Sequence, residues 1–283
     1  MSNKAFLSLF AVLSLIAFGS GYWMESRALD KHREIVEKPS FVDEYLYAYF
    51  PLNGDPTDAS GGGNDGTLSG PPKFVEDRFG VAQAACHFDG SSDRITFDKN
   101  KTMEIQDPNT FTVSFWIKKD EKLTGTVMQL FGDVLEEEGG VPPVEGYFEV
   151  RNYKGEKAIF LQWLISGHGG SDGTGTLEAR LDSANGGWNF VAVVFKEDGK
   201  DGEPKMLLAT MYINGKKNTD VQNPKSTALF TETEKMKKEF ILGRQSINAI
   251  PAFRGVLDDV RVYSVSLDPF HINGLYEYEK YRE

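Results

Sequence analysis

Phe111-Thr-Val-Ser-Phe-Trp-Ile117 places Phe111, Val113, Phe115 and Ile117 at every second position, with Thr112, Ser114 and Trp116 between them. A period of two is the side-chain repeat of a β-strand with one face in a core. Trp116, on the other face, is either a second-face core residue or part of a concave surface. Outward from this strand the same texture recurs in short pieces. Tyr45–Leu52 is aromatic-rich, and Ala84–Phe88 and Arg94–Phe97 flank the turn Asp89-Gly-Ser-Ser-Asp93. Further strands are predicted at Thr126–Phe131, Tyr147–Arg151, Ala158–Ile165, Thr176–Leu181, Asn189–Lys196, Met206–Ile213, Glu239–Leu242 and Val256–Tyr263. Asn214-Gly215 predicts a type I′ hairpin turn, whose two central positions both need positive φ. One helix is predicted near Asp268-Pro269, where Asp caps and Pro suits the first helical position. About a dozen short strands without alternating helices predict an all-β fold, a two-sheet antiparallel jelly-roll sandwich.

The first residues read differently. Ala5–Phe18 is AFLSLFAVLSLIAF, preceded by Lys4 and followed by Gly19, Ser20 and Gly21. A short apolar run before small residues is the pattern of a secretory signal peptide. Extended through Tyr22, Trp23 and Met24, the stretch reaches roughly the 20 residues that span a bilayer, although Gly-Ser-Gly interrupts it. Residues 1–24 are therefore read as a signal peptide or an N-terminal membrane anchor, 25–44 as a polar linker, and 45–283 as the jelly-roll domain. Both readings export the domain to the periplasm, the cell surface or the medium, and the second tethers it to a membrane.

Composition narrows the function. Lys plus Arg number 31 against 42 Asp plus Glu, a formal charge of −11, so the overall field repels phosphates and nucleic acid is not an expected partner. One cysteine, Cys86, excludes an internal disulfide or a thiolate metal cluster. It falls in a predicted buried strand and is expected to be an inert core thiol.

Four stretches in order resemble the LamG-like jelly-roll modules of the concanavalin A-like lectin/glucanase superfamily. The first is Ala48–Gly54 running into Asp58-Ala-Ser-Gly-Gly-Gly-Asn64 and Gly66-Thr67. The second is Asp77-Arg-Phe-Gly80 with Ala84–Gly90. The third is Phe111–Ile117 with Trp188–Val191 and Tyr212–Lys216. The fourth is Phe253-Arg-Gly255, Leu257-Asp-Asp-Val-Arg-Val-Tyr263 and Ser266–Pro269. Cys86, His87 and Val265 depart from the family's usual residues at those positions. The resemblance implies two curved antiparallel sheets, a module that binds carbohydrate or protein, often a structural calcium ion, and no chemistry.

Calcium takes six to eight oxygen ligands, carbonyls included. The loop Asp58–Gly66 supplies Asp, Asn and glycine carbonyls, and Leu257–Val260 offers carboxylates near the other terminus. In a jelly roll the first and last strands are neighbours. The resemblance therefore carries a calcium role to Asp58, Asn64 and Asp258; the alternative is that these residues close turns through Asx hydrogen bonds. Ligand-contacting residues are not assigned.

For an enzyme, retaining glycoside hydrolysis needs two carboxylates about 5 Å apart. No Glu-x-Asp-x-x-Glu string occurs, Glu136-Glu-Glu138 reads as a solvated loop, and Glu145, Glu149 and Glu156 are spread across a hairpin. His32, His87, His168 and His271 lack ligand-like spacing. The expectation is a non-catalytic module for a glycan or a surface protein. The alternatives are a polysaccharide-active hydrolase or lyase, with Glu145 or Glu149 as its acid, and a ligand-free structural surface protein.

Overall fold

The computed structural model describes residues 37–97, 110–119, 123–132, 145–152, 159–166, 175–182, 185–198, 206–218, 240–244 and 251–281. The predicted signal or anchor segment, most of the linker, Glu136–Glu138, Glu156 and His168 lie outside them. Pro39–Tyr276 form one compact unit, which carries the features below; residues from Glu277 onward group with those before Pro39.

Fifteen strands are described, most where the alternation predicts them. They are β1 (Leu46–Phe50), β2 (Gly66–Ser69), β3 (Lys73–Val75), β4 (Ala85–Asp89), β5 (Arg94–Phe97), β6 (Phe111–Lys118), β7 (Gly125–Gly132) and β8 (Glu145–Asn152). After them come β9 (Ile159–Ser166), β10 (Gly175–Arg180), β11 (Trp188–Asp198), β12 (Met206–Ile213), β13 (Lys216–Lys217), β14 (Ile241–Leu242) and β15 (Arg254–Tyr263). Helix α1 (Phe41–Glu44) and strands β2, β3 and β13 carry no apolar alternation, which is why the sequence pattern does not predict them. Helix α2 (Pro269–Tyr281) begins as expected, with the Asp268 carboxylate accepting the His271 N–H at 2.8 Å.

The strands form two antiparallel sheets. One has eight strands in the order β13-β12-β11-β6-β15-β4-β3, with β1 beside β15; the other has seven, β10-β9-β8-β7-β14-β5-β2. The first strand pairs with the last through Ala48↔Val262 and Phe50↔Val260, so the two ends of the domain are neighbours. Asn214 and Gly215 adopt φ 50° and 74°, as the hairpin turn requires. A bulge between Asp258 and Arg261 interrupts the β15–β6 ladder, and Asp259 within it has φ 49°. Such a bulge puts consecutive side chains on one face.

Between the sheets lies an aromatic core. Phe50, Phe97 and Phe240 cluster with centroids 4.1–5.9 Å apart, and Phe111 stacks on Phe195 at 4.3 Å. Phe111, Val113, Phe115 and Ile117 all enter this core, yet Thr112, Ser114 and Trp116 are buried too. The eight-stranded sheet is covered on its outer face as well. There Tyr276 of α2 lies 6.0 Å from Trp116 and 5.8 Å from Phe190, ring to ring. Trp116 is thus a second-face core residue.

Candidate functional site

The Gly-rich loop after β1 is organised by one carboxylate. Asp58 Oδ1 accepts the N–H groups of Tyr49 at 3.0 Å and Ser60 at 2.9 Å. Its Oδ2 accepts the Asn64 N–H at 3.0 Å and the Asn64 side-chain amide at 2.8 Å. Burial alone would raise the Asp58 pKa, but the hydrogen bonds from Ser60, Tyr49 and Asn64 outweigh it and hold the pKa below its usual value. The structure therefore brings Asp58 and Asn64 together as hydrogen-bond partners.

Asp258 is held elsewhere. It projects from the outer face of the eight-stranded sheet, where the Arg78 guanidinium ion-pairs with it and, at 2.8 Å, with Asp259. Tyr49 donates its hydroxyl proton to Asp259 at 2.6 Å, and the Arg261 guanidinium lies 3.8 Å from the centre of the Tyr49 ring. Arg78, Asp258, Asp259 and Arg261 all keep side-chain exposures of 5% or less. Arg78 also lies 4.5 Å from the ring centres of both Trp116 and Phe79. In the sequence Arg78 stands out only within the Asp77–Gly80 motif; two adjacent acids in a strand that reads as buried are the signal that a cation must meet them.

The three residues expected around one calcium ion do not make an oxygen cage for it. A carboxylate has about four lone-pair sites, and four N–H donors fill those of Asp58, while Asp258 is matched by a guanidinium. Among the described residues, no group of three or more His, Cys, Asp or Glu is placed to hold a metal ion.

The seven-stranded sheet presents a different surface. Val127, Met128 and Val150 point into the core, and the bulge between Thr126 and Met128 puts Thr126 and Gln129 on the opposite, outer face together with Glu149. Thr126 pairs in register with Glu149, Glu149 with Gln162, and Gln162 with Glu178, so polar positions run across four adjacent strands. Thr126, Gln129 and Glu149 are buried, and the Thr126 hydroxyl lacks a hydrogen-bond partner. A buried, unsatisfied hydroxyl costs about 1–3 kcal/mol unless water or a ligand meets it. The sequence hid this patch because the bulge breaks the period of two in β7.

Comparison with known proteins places the fold. A family model of the concanavalin A-like lectin/glucanases superfamily matches residues 89–273, and the chain belongs to that superfamily. No curated protein matches it. Among solved structures it is similar to domain 4 of AbnA, a GH43 extracellular arabinanase from Geobacillus stearothermophilus, in complex with arabinotriose. That likeness has 21% identity and a TM-score of 0.50 over 82% of this chain and 98% of that one. It is also similar to the receptor-binding domain of a botulinum neurotoxin C/D mosaic serotype, at 18% identity, TM-score 0.53, covering 83% of this chain and 51% of the other. The binding domain of botulinum neurotoxin DC, in complex with rat synaptotagmin II, gives 15% and 0.52 over 83% and 52%. The chain thus corresponds to about half of each neurotoxin domain, and these likenesses carry the fold alone.

Proposed function

We propose that this protein is an exported, non-catalytic binding module that recognises a glycan through the outer face of its seven-stranded sheet. The observation that carries this reading is the buried polar patch of Thr126, Gln129 and Glu149 with its unsatisfied Thr126 hydroxyl. A hydroxyl-rich ligand offers the Thr126 hydroxyl both a donor and an acceptor. On the other sheet the corresponding face is closed by Arg78, Trp116 and Tyr276. The arabinanase domain with its bound arabinotriose supports a sugar, and the neurotoxin domain with its bound synaptotagmin supports a surface protein as the alternative partner. Residues 1–24 direct export and, if uncleaved, tether the module to the membrane.

The test is a glycan array followed by calorimetric titration of each hit, with arabinotriose included. Thr126→Val and Gln129→Ala are expected to weaken binding at least tenfold, and Thr126→Val to change Tm little. Absence of any hit, or binding that neither variant weakens, refutes the reading. Release of reducing ends from a polysaccharide would replace it with the enzyme reading, and Glu149 is then the first residue to mutate.

A further inference from the structure

We infer that the Asn64 side-chain amide occupies the place a metal ion would take in this loop, so that the loop closes without metal. Three oxygens converge there. The amide nitrogen is 2.8 Å from Asp58 Oδ2 and 3.3 Å from the Tyr47 carbonyl oxygen, and the Ser60 hydroxyl donates to that same carbonyl at 3.2 Å. An NH2 group presents two partially positive hydrogens, the electrostatic role a cation would have between a carboxylate and a carbonyl. The opposite amide orientation would set Asn64 Oδ1 against both oxygens, so the network fixes the donor inward.

The surroundings admit the amide and little else. Asp58 and Asn64 are each 7% exposed. A Cβ on Gly62 would lie 2.7 Å from the Asn64 amide nitrogen, 3.1 Å from the Tyr47 carbonyl oxygen and 3.2 Å from Asp58 Oδ2, which is why this position is glycine. The remaining Asp58 lone pairs take backbone N–H groups from Tyr49, Ser60 and Asn64. Calcium needs six or more oxygens with lone pairs turned toward it, whereas every donor at Asp58 turns a hydrogen toward the carboxylate. The loop therefore ties itself to β1 by hydrogen bonds, and the calcium expected from the resemblance has no role at this position.

The test compares Tm in EDTA and in millimolar calcium for the whole protein, Asn64→Asp and Asn64→Ala. The unaltered protein is expected to melt at the same temperature in both, and Asn64→Ala to melt several degrees lower in both. Asn64→Asp replaces the NH2 group with an oxygen set against Asp58 Oδ2 and the Tyr47 carbonyl; it is expected to lose stability in EDTA and in calcium alike. Stabilisation of the unaltered protein by calcium that Asn64→Ala abolishes would overturn the inference. So would an Asn64→Asp variant as stable as the parent in EDTA, or one that calcium restores to the parent's stability. Should Asn64→Asp fail to fold, equal melting of the unaltered protein in both buffers with a lower Tm for Asn64→Ala is the supporting result, and calcium stabilisation of the unaltered protein is the overturning one.

Discussion

Replacing Arg78 with alanine would leave two adjacent carboxylates, Asp258 and Asp259, buried without the cation that bridges them. Removing one partner of a buried ion pair costs about 3–5 kcal/mol, because the charge left behind is neither solvated nor matched. Loss of the stack on Trp116 adds roughly 0.5–2 kcal/mol. For a domain of this size each kcal/mol moves Tm by about 2–4 °C, so the expected fall is of the order of 10 °C. Arg78→Lys keeps the charge but loses the planar fork and the stack, and should fall between parent and alanine variant. The assay is thermal unfolding by circular dichroism, with tryptophan emission as a local reporter of the Trp116 environment. A double-mutant cycle with Asp258→Ala should give a combined loss smaller than the sum of the single losses, since removing both charges leaves less charge orphaned. An Arg78→Ala variant that melts within about 2 °C of the parent, equivalent to roughly 1 kcal/mol or less, would refute the assignment of Arg78 as the clamp.

Two further outcomes follow from buried ionisable groups. Burial and the charge of Asp89 raise the Asp93 pKa above its ordinary value despite its hydrogen bond from the Asp89 N–H and the nearby His87 and Lys73, and Asp93 Oδ1 has no partner. A raised folded-state pKa means the folded protein holds the proton more tightly. This contribution is full below the unfolded value of 3.8 and is lost as pH rises through the folded value. Asp93→Asn, which keeps an acceptor for the Asp89 N–H, is therefore expected to melt above the parent at pH 7, with the advantage shrinking toward pH 4; a variant less stable than the parent at pH 7 contradicts this. The Cys86 thiol is pushed up to about 12 by burial and then by the charge of Asp93, so a thiol reagent at pH 8 should label it only as the protein unfolds. Labelling as fast as a free thiol in native buffer would contradict that burial.

Much of the fold is written locally. Period-two alternation in Phe111–Ile117, turn residues at Asn214-Gly215 and the cap at Asp268 each act within a few residues, and the structure has a strand, a positive-φ turn and a helix start there. Short elements without alternation, such as β2 and β3, are specified by the neighbour they pair with, so a single strand's sequence does not reveal them. The site divides the same way. Asp58 and Asn64 are six residues apart and their contact was legible as loop chemistry, but the direction of the Asn64 amide depends on the Tyr47 carbonyl, which β1 brings to it.

The chain by itself determined the class of fold, because side-chain periodicity and turn chemistry are short-range properties that burial of apolar faces then enforces. Tertiary structure alone decided what the acidic residues do. Asp258 meets Arg78 across 180 positions of chain, and no local pattern encodes which cation a carboxylate will find once a strand bulge turns it to one face. The same holds for the patch on the seven-stranded sheet: Thr126, Gln129 and Glu149 share a face only because a bulge between Thr126 and Met128 offsets the register of β7.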